Sequence, residues 1–218
     1  LVNSSFEYFP GIPIYHSTDL THWEQIGHVL DRKNQLKLVN GAPNCLGIYA
    51  PTIRYHEGIF YCIVTNVGGR SGGNFFVYTT DPYGRWSNPV KLPFAGIDPS
   101  LFFDEDGRIY YTGTDTGIYI AEITFDVVRN DTPKRNELPV SIQNVKCGEK
   151  HYIWNGSGGN NPEGPHLYRI HDMYYLMIAE GGTEYCHMVT IARSKNVYGP
   201  YEACPHNPVL SNRSTCLN

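Results

Sequence analysis

Short runs of alternating apolar and polar residues, punctuated by Gly, Pro, Asn and Asp, make up most of this chain. Ile14-Tyr15-His16 and Gln25 to Leu30 read as strands, followed by a long polar connection from Asp31 to Gly47. From Ile48 to about Leu92 there are two further strands, a glycine cluster over 68–73, and the alternating run Phe75 to Tyr78. Asp98 to Thr114, Gly117 to Ile123 and a charged stretch near 126–138 form the next group. Glu163 to Ala179, His187 to Ser194 and Tyr201 to Leu210 form the last. No amphipathic helical stretch exceeds a couple of turns, so the pattern predicts an all-β chain.

Three of these groups repeat one design. Ala50-Pro51-Thr52-Ile53-Arg54-Tyr55, Asp98-Pro99-Ser100-Leu101-Phe102-Phe103 and Glu163-Gly164-Pro165-His166-Leu167-Tyr168 each set a small or acidic residue near a Pro, then a short strand, a polar turn and an aromatic second strand. A second theme keeps the same rhythm: Ser17-Thr18-Asp19 before Trp23, Thr80-Asp81-Pro82 before Trp86, and Ser194-Lys195-Asn196 before Tyr201. Spacings of roughly 50 to 65 residues suit four-stranded propeller blades carrying loop insertions. The opening position varies, from Ala50 to Asp98 to Glu163. Openers of successive blades converge on one axis, so all three are expected to face a shared cavity.

Composition narrows the function classes. Seventeen Tyr with only 17% charged residues fit a repetitive β protein, and the length allows one all-β domain. A net charge of −4 offers no basic surface for nucleic acid. No apolar run approaches the roughly 20 residues of a membrane helix. The six Cys form no CxxC pair and the nine His are scattered, so neither builds a zinc site. Cys62, in a strand pattern, reads as a small buried hydrophobe. The glycine cluster lacks the Lys-Ser/Thr ending of a phosphate loop. Asn-x-Ser/Thr sequons begin at Asn3, Asn130, Asn155 and Asn212. They bear only on a eukaryotic secretory route, so the compartment stays open between cytoplasm and secretion. The chain begins inside a strand pattern and ends, from Ser211, in a linker-like tail, which gives the expectation of a piece of a longer protein.

Paired carboxyls carry the candidate chemistry. Two such groups near each other do not both ionise freely, and one is pushed toward its protonated form. General-acid cleavage of a glycosidic bond requires that state. Asp98 and Glu163 meet the requirement if their openers converge; the alternative is that Asp98 caps a turn and Glu163 pairs with an Arg. Around them Phe6, Phe9, Tyr49 and Trp154 sit in loops, where aromatic faces stack on pyranose rings or pack locally. Glu180, in Glu180-Gly181-Gly182-Thr183, brings a carboxylate toward ligand or ends a strand. Arg54, His187 and Arg193 are further candidate partners for sugar hydroxyls or carboxylates.

Phe6-Glu7-Tyr8-Phe9-Pro10-Gly11, Gly47-Ile48-Tyr49-Ala50-Pro51, Gly96-Ile97-Asp98-Pro99-Ser100-Leu101-Phe102, Pro162-Glu163-Gly164-Pro165-His166-Leu167-Tyr168 and Ala179-Glu180-Gly181-Gly182-Thr183 together resemble glycoside hydrolase family 43, in its β-xylosidase and α-L-arabinofuranosidase branch. The resemblance runs in order over essentially the whole chain. It implies a five-bladed β-propeller, incomplete here. Residues 1–46 would end blade one and connect onward, 47–95 form blade two, 96–160 blade three with a connection, and 161–218 blade four with a linker. It also implies an inverting mechanism with three acidic residues, no cofactor and no metal, on xylo- or arabino-oligosaccharides. Carried over by position, Glu163 matches the general acid and Asp98 the residue that tunes and orients it. Phe6 and Tyr49 match aromatics of the sugar pocket, where the family usually has Trp in place of Tyr49. From the reading of the residues themselves, Glu180 and Arg193 are added to the expected substrate-binding set, and Cys186 stands where the family leads one to expect Gly. The family's catalytic base is an Asp in a Pro-Asp-Pro motif, and no Pro-Asp-Pro occurs in these 218 residues. The chain by itself is therefore expected to be inactive.

Two other classes compete. A non-catalytic carbohydrate-binding propeller would use the same acids only to hydrogen-bond sugar hydroxyls. A retaining, invertase-like fructosidase would carry Asn-Asp-Pro, Arg-Asp-Pro and Glu-Cys signatures, which are absent. Xylosidase and arabinofuranosidase activities remain undivided, because the two sugars present similar hydroxyl patterns.

Overall fold

The alternating runs become strands in the computed structural model, which describes residues 1–36, 45–68 and 72–211. Part of the 31–47 connection, the middle of the glycine cluster (Gly69, Arg70 and Ser71), the Asn212 sequon and Cys216 lie outside the described residues. Sixteen strands are described, and no described segment is helical. They assort into four antiparallel sheets in chain order. The first holds β1 (Gly11–His16) and β2 (Glu24–Leu30). The second holds β3 (Gly47–Ile48), β4 (Thr52–His56), β5 (Ile59–Val67), β6 (Gly73–Thr79) and β7 (Val90–Lys91). The third holds β8 (Ile97–Phe103), β9 (Ile109–Thr114), β10 (Ile118–Arg129), β11 (Val140–Cys147) and β12 (His151–Trp154). The fourth holds β13 (Glu163–Ile170), β14 (Met173–Glu180), β15 (Met188–Ser194) and β16 (Glu202–Ala203).

The strands gather into two units. One comprises Leu1–Gly96 with Thr124–Cys147, the other Ile97–Ile123 with Gly148–Asn218. Strand β10 runs through the division between Ile123 and Thr124. The charged stretch near 126–138 thus extends β10 to Arg129 and leads into β11. That segment belongs to the first unit rather than to the third sheet's inner strands. Apolar side chains on β10 anchor it there: Phe125 meets Tyr61 and Phe76, with ring centroids 5.9 and 5.8 Å apart. The Tyr78 hydroxyl accepts from the Ile142 N–H at 3.0 Å, and the Arg129 guanidinium donates to the Glu57 carbonyl at 2.8 Å.

Each unit has its own core. In the first, Ile12, Ile14, Val29, Leu30, Ile48, Cys62, Val64, Val77 and Trp86 pack together. Cys62 is fully buried, and burial pushes its thiol well above the usual range, so it serves as a small apolar side chain. In the second, Phe102, Tyr110, Ile118, Ile120, Leu167, Leu176 and Ile178 form the cluster, with Trp154 and Tyr201 against it. The inner strands β8 and β13 of this unit are tied at their far ends by Asp104. Its carboxylate, fully withdrawn from solvent, accepts from Arg169 Nη1 at 2.9 Å and Tyr174 Oη at 2.6 Å.

The second repeated theme is a turn device. In each copy a hydroxyl and a carboxyl or amide oxygen capture backbone N–H groups of the turn. Ser17 Oγ accepts from Leu20 N, Thr79 Oγ1 from Asp81 N, and Ser194 Oγ from Asn196 N. Asp19, Asp81 and Asn196 then accept from His22, Tyr83 and Tyr198. Such local side-chain bonds are why these residues favour turns over strands. The final expected strand, Tyr201 to Leu210, is only partly realised. It survives as β16 and an isolated bridge between Val189 and Leu210. Between them the Asn207 side chain replaces a ladder rung, its amide accepting from Ile191 N and donating to Ile191 O, both at 2.9 Å.

Candidate active site

The three repeat openers are shaped by their prolines. Pro lacks the N–H a ladder rung needs, so sheets admit it at strand starts, on edge strands such as β8 and β13, and at bulges. In the third sheet the register passes from Ile97↔Thr114 to Ser100↔Thr112, leaving Asp98 and Pro99 opposite one residue. In the fourth it passes from Glu163↔Ala179 to His166↔Met177, leaving Gly164 and Pro165 opposite one residue. The ladders therefore equate Pro99 with Pro165, Asp98 with Gly164, and Ile97 with Glu163. Asp98 and Gly164 share the left-handed backbone as well, with φ of 53° and 60°. Asp98 and Glu163 thus stand one step apart in the repeat, a correction to reading both as the same opener.

That offset brings them together rather than apart. Asp98 Oδ2 accepts from the N–H of Gly164, the residue after Glu163, at 3.1 Å. Both acids are half-buried. Burial first, then the nearby Glu163 charge, pushes the Asp98 carboxyl up to about 6, against the pull of the Gly164 bond. Burial also raises Glu163, with the charge of His187 opposing. The larger upward push falls on Asp98. No hydrogen bond is made to the Glu163 carboxyl among the described residues, so it is unclaimed by the protein. A pair of this kind holds a proton into the mildly acidic range and titrates as a unit.

Phe6 and Tyr49 meet in the first unit. Phe6 N donates to Ile48 O and Ile48 N to Phe6 O, both at 2.9 Å, which sets the two aromatics on adjoining segments. Their rings lie edge-to-face, centroids 6.0 Å apart, and Phe6 remains 40% exposed. Gly47 makes this approach feasible: at φ 97°, a Cβ there would lie 2.2 Å from the Phe6 carbonyl oxygen. Phe9 is exposed, whereas Trp154 packs on the second unit's core. Ala50 lies in the first unit with Phe6 and Tyr49.

Glu180 and Arg193 are placed differently from the expectation. The Glu180 side chain is fully buried, and every contact of its carboxylate is with the chain itself. It accepts from Ser157 N (2.8 Å), Ser157 Oγ (2.9 Å), Gly159 N (2.6 Å) and Thr190 Oγ1 (2.6 Å). Burial alone would raise this carboxyl, but the bonds from Thr190, Ser157 and Gly159 outweigh it and hold the group below the usual range. Glu180 holds the 157–159 loop through these bonds. The alternation of β14 carries the signal, since Tyr174, Leu176, Ile178 and Glu180 share its buried face. Arg193 is exposed on β15, 3.6 Å from Glu202 on the edge strand β16. It lies two strands across from β13 and four residues along from the rung that carries Glu163. His187 does lie near Glu163, its Nδ1 bonded to the Gly182 carbonyl.

The Glu180 clamp gives a stability test. Glu180→Gln keeps the volume but loses the charge and turns an NH₂ toward donors. We expect a loss of about 3 kcal/mol, read as a lower urea midpoint at unchanged slope. Because the folded carboxyl titrates below its unfolded value, this contribution is present above the unfolded value and fades as pH falls through the folded one. The gap between wild type and variant should therefore narrow in acid. A gap that stays constant down to the acid limit would remove the charged clamp.

The sequence profile of glycosyl hydrolases family 43 matches residues 1–217. A xylosidase/arabinosidase of Butyrivibrio fibrisolvens is 46% identical over 98% of the chain, and a non-reducing end α-L-arabinofuranosidase of Bacteroides ovatus is 45% identical over 97%. The chain spans 41% and 37% of their lengths, respectively. Among solved structures, a family 43 protein from Bacillus licheniformis superposes with a TM-score of 0.81 at 37% identity, covering 98% of this chain and 40% of its own. The GH43B structure from a Bacteroides ovatus xyloglucan locus gives 0.80 at 42%, covering 97% and 39%. With a profile match along its length, the chain belongs to glycosyl hydrolases family 43, and its antiparallel sheets are blades of a β-propeller carried here in part.

Proposed function

We propose that the protein to which these residues belong is a glycosidase that removes terminal xylose or arabinofuranose from plant-cell-wall oligosaccharides with inversion. The convergence of Asp98 and Glu163 at adjoining bulges carries this reading. Glu163, whose carboxyl is claimed by no described partner, protonates the leaving oxygen as general acid. Asp98, bonded to the backbone beside it, orients that acid and shares its proton. Phe6 and Tyr49, by their match to the family's pocket aromatics, are the candidates for stacking on a sugar ring. The base that activates water belongs to a Pro-Asp-Pro segment, which these residues do not contain. Relatives named xylosidase/arabinosidase and α-L-arabinofuranosidase support both pentoses as substrates.

The test is release of pentose by the full-length protein from aryl xylosides and arabinofuranosides, with the product anomer followed by NMR. Inverted product supports the reading. Retained configuration, or tight sugar binding without turnover, would replace it with a double-displacement enzyme or a binding module respectively.

A further inference from the structure

One buried polar group near the acid pair has no hydrogen-bond partner among the described residues. Thr114 ends β9, is 8% exposed, and its hydroxyl makes no hydrogen bond. Buried hydroxyls are as a rule satisfied, because an unmade bond in a dry site costs free energy. The same strand shows where this one points. Thr112, two residues earlier and therefore on the same face, donates from Oγ1 to the Pro165 carbonyl at 3.2 Å. Strands β8 and β13 run side by side in one direction, joined near their starts by the Gly164–Asp98 bond and near their ends by Arg169 and Asp104. Strand β9 is antiparallel to β8 and so also to β13. Thr114 itself pairs with Ile97, whose ladder counterpart in the fourth sheet is Glu163. Thr114 stands level with Glu163.

Two groups without a hydrogen bond among the described residues, a Thr hydroxyl and a carboxyl, thus stand level on neighbouring strands. We infer that Thr114 is a positioning residue for Glu163: its hydroxyl donates to that carboxyl and fixes its direction when a glycoside is bound. The inference rests on Glu163 being the general acid. The other titratable groups that act on Glu163 or respond to its charge are His187, from the turn after β14, and Asp98 from β8. Buried Tyr111, on β9, feels the Asp98 and Asp115 charges.

The experiment compares Thr114→Val and Thr114→Ser with wild type in the full-length enzyme, over pH and over leaving groups. A donor to the carboxylate favours its ionised form, so its loss should move the basic limb of kcat/KM to higher pH. With Val we expect that shift and a roughly tenfold fall in kcat on a poor leaving group, with less on an activated aryl glycoside. Ser, which keeps the hydroxyl, should behave as wild type. Should Val fail to fold, seen as lost near-ultraviolet dichroism, Thr114→Ala makes the same comparison. An unmoved basic limb in the folded Val or Ala variant would overturn the inference, as would a Ser variant departing as far as Val. Glu163→Gln, run alongside, separates the two claims. If it leaves the basic limb in place, the acid assignment itself fails; if it abolishes the limb while Val leaves it unmoved, only the Thr114 role falls.

Discussion

Glu163→Gln in the full-length protein is expected to slow hydrolysis of glycosides with poor leaving groups by roughly 100- to 10,000-fold. Gln fills the same space at the head of β13 but has no transferable proton. The neighbouring Asp98 cannot take over, because the N–H of Gly164 holds its oxygen at 3.1 Å toward the β13 backbone. An activated aryl glycoside departs with little protonation and should lose much less. KM should change little, since the carboxyl acts on the bond being broken and not on sugar binding. Initial rates across a series of aryl leaving groups measure this as a steeper dependence on leaving-group acidity. Equal losses across the series would remove Glu163 from the acid role.

Purified residues 1–218 alone are expected to show no pentosidase turnover. Inversion needs a second carboxylate roughly 6.5–9.5 Å from the acid, on the opposite face of the sugar. Asp98 is set directly beside Glu163, its oxygen held at 3.1 Å by the N–H of Gly164, and so does not supply the separated second carboxylate. Glu180, the other nearby acid of that unit considered at sequence level, is consumed by its four internal bonds. Turnover by the 218-residue chain that Asp98→Asn abolishes would make Asp98 the base and overturn the assignment.

How legible this was varies from residue to residue. The starts of β8 and β13 were marked by Pro99 and Pro165, but their bulges were not, since an edge strand admits Pro without one. The Ser/Thr and Asp/Asn turn pairs were plain in the first and last copies, their chemistry being local, while in the second the hydroxyl is that of Thr79 and not Thr80. The one-residue offset between Asp98 and Glu163 was not plain, since sequence repeats align by residue type while ladders align by hydrogen bonds. Of the two readings of Glu180, toward ligand or ending a strand, the structure shows the strand end, where parity buries it. Arg193 could have been recognised as outward-facing, between buried Ala192 and Ser194 on β15. Thr114 and Asp104 gave no signal by themselves. Their meaning comes from strands that are far apart in sequence.

The side-chain rung at Asn207 has a consequence for chemical ageing. Its amide reads Ile191 twice, once as acceptor and once as donor. Hydrolysis to Asp would leave the acceptor intact but replace the donor with a second oxygen facing the Ile191 carbonyl, turning attraction into repulsion. Asn commonly ages through cyclisation, in which the backbone nitrogen of the following residue attacks the side-chain carbonyl. Here the following residue is Pro208, whose nitrogen carries no hydrogen to release. The site where deamidation would open the edge of the fourth sheet is thus shielded from its usual route, and that edge should outlast exposed Asn–Gly or Asn–Ser steps during prolonged incubation.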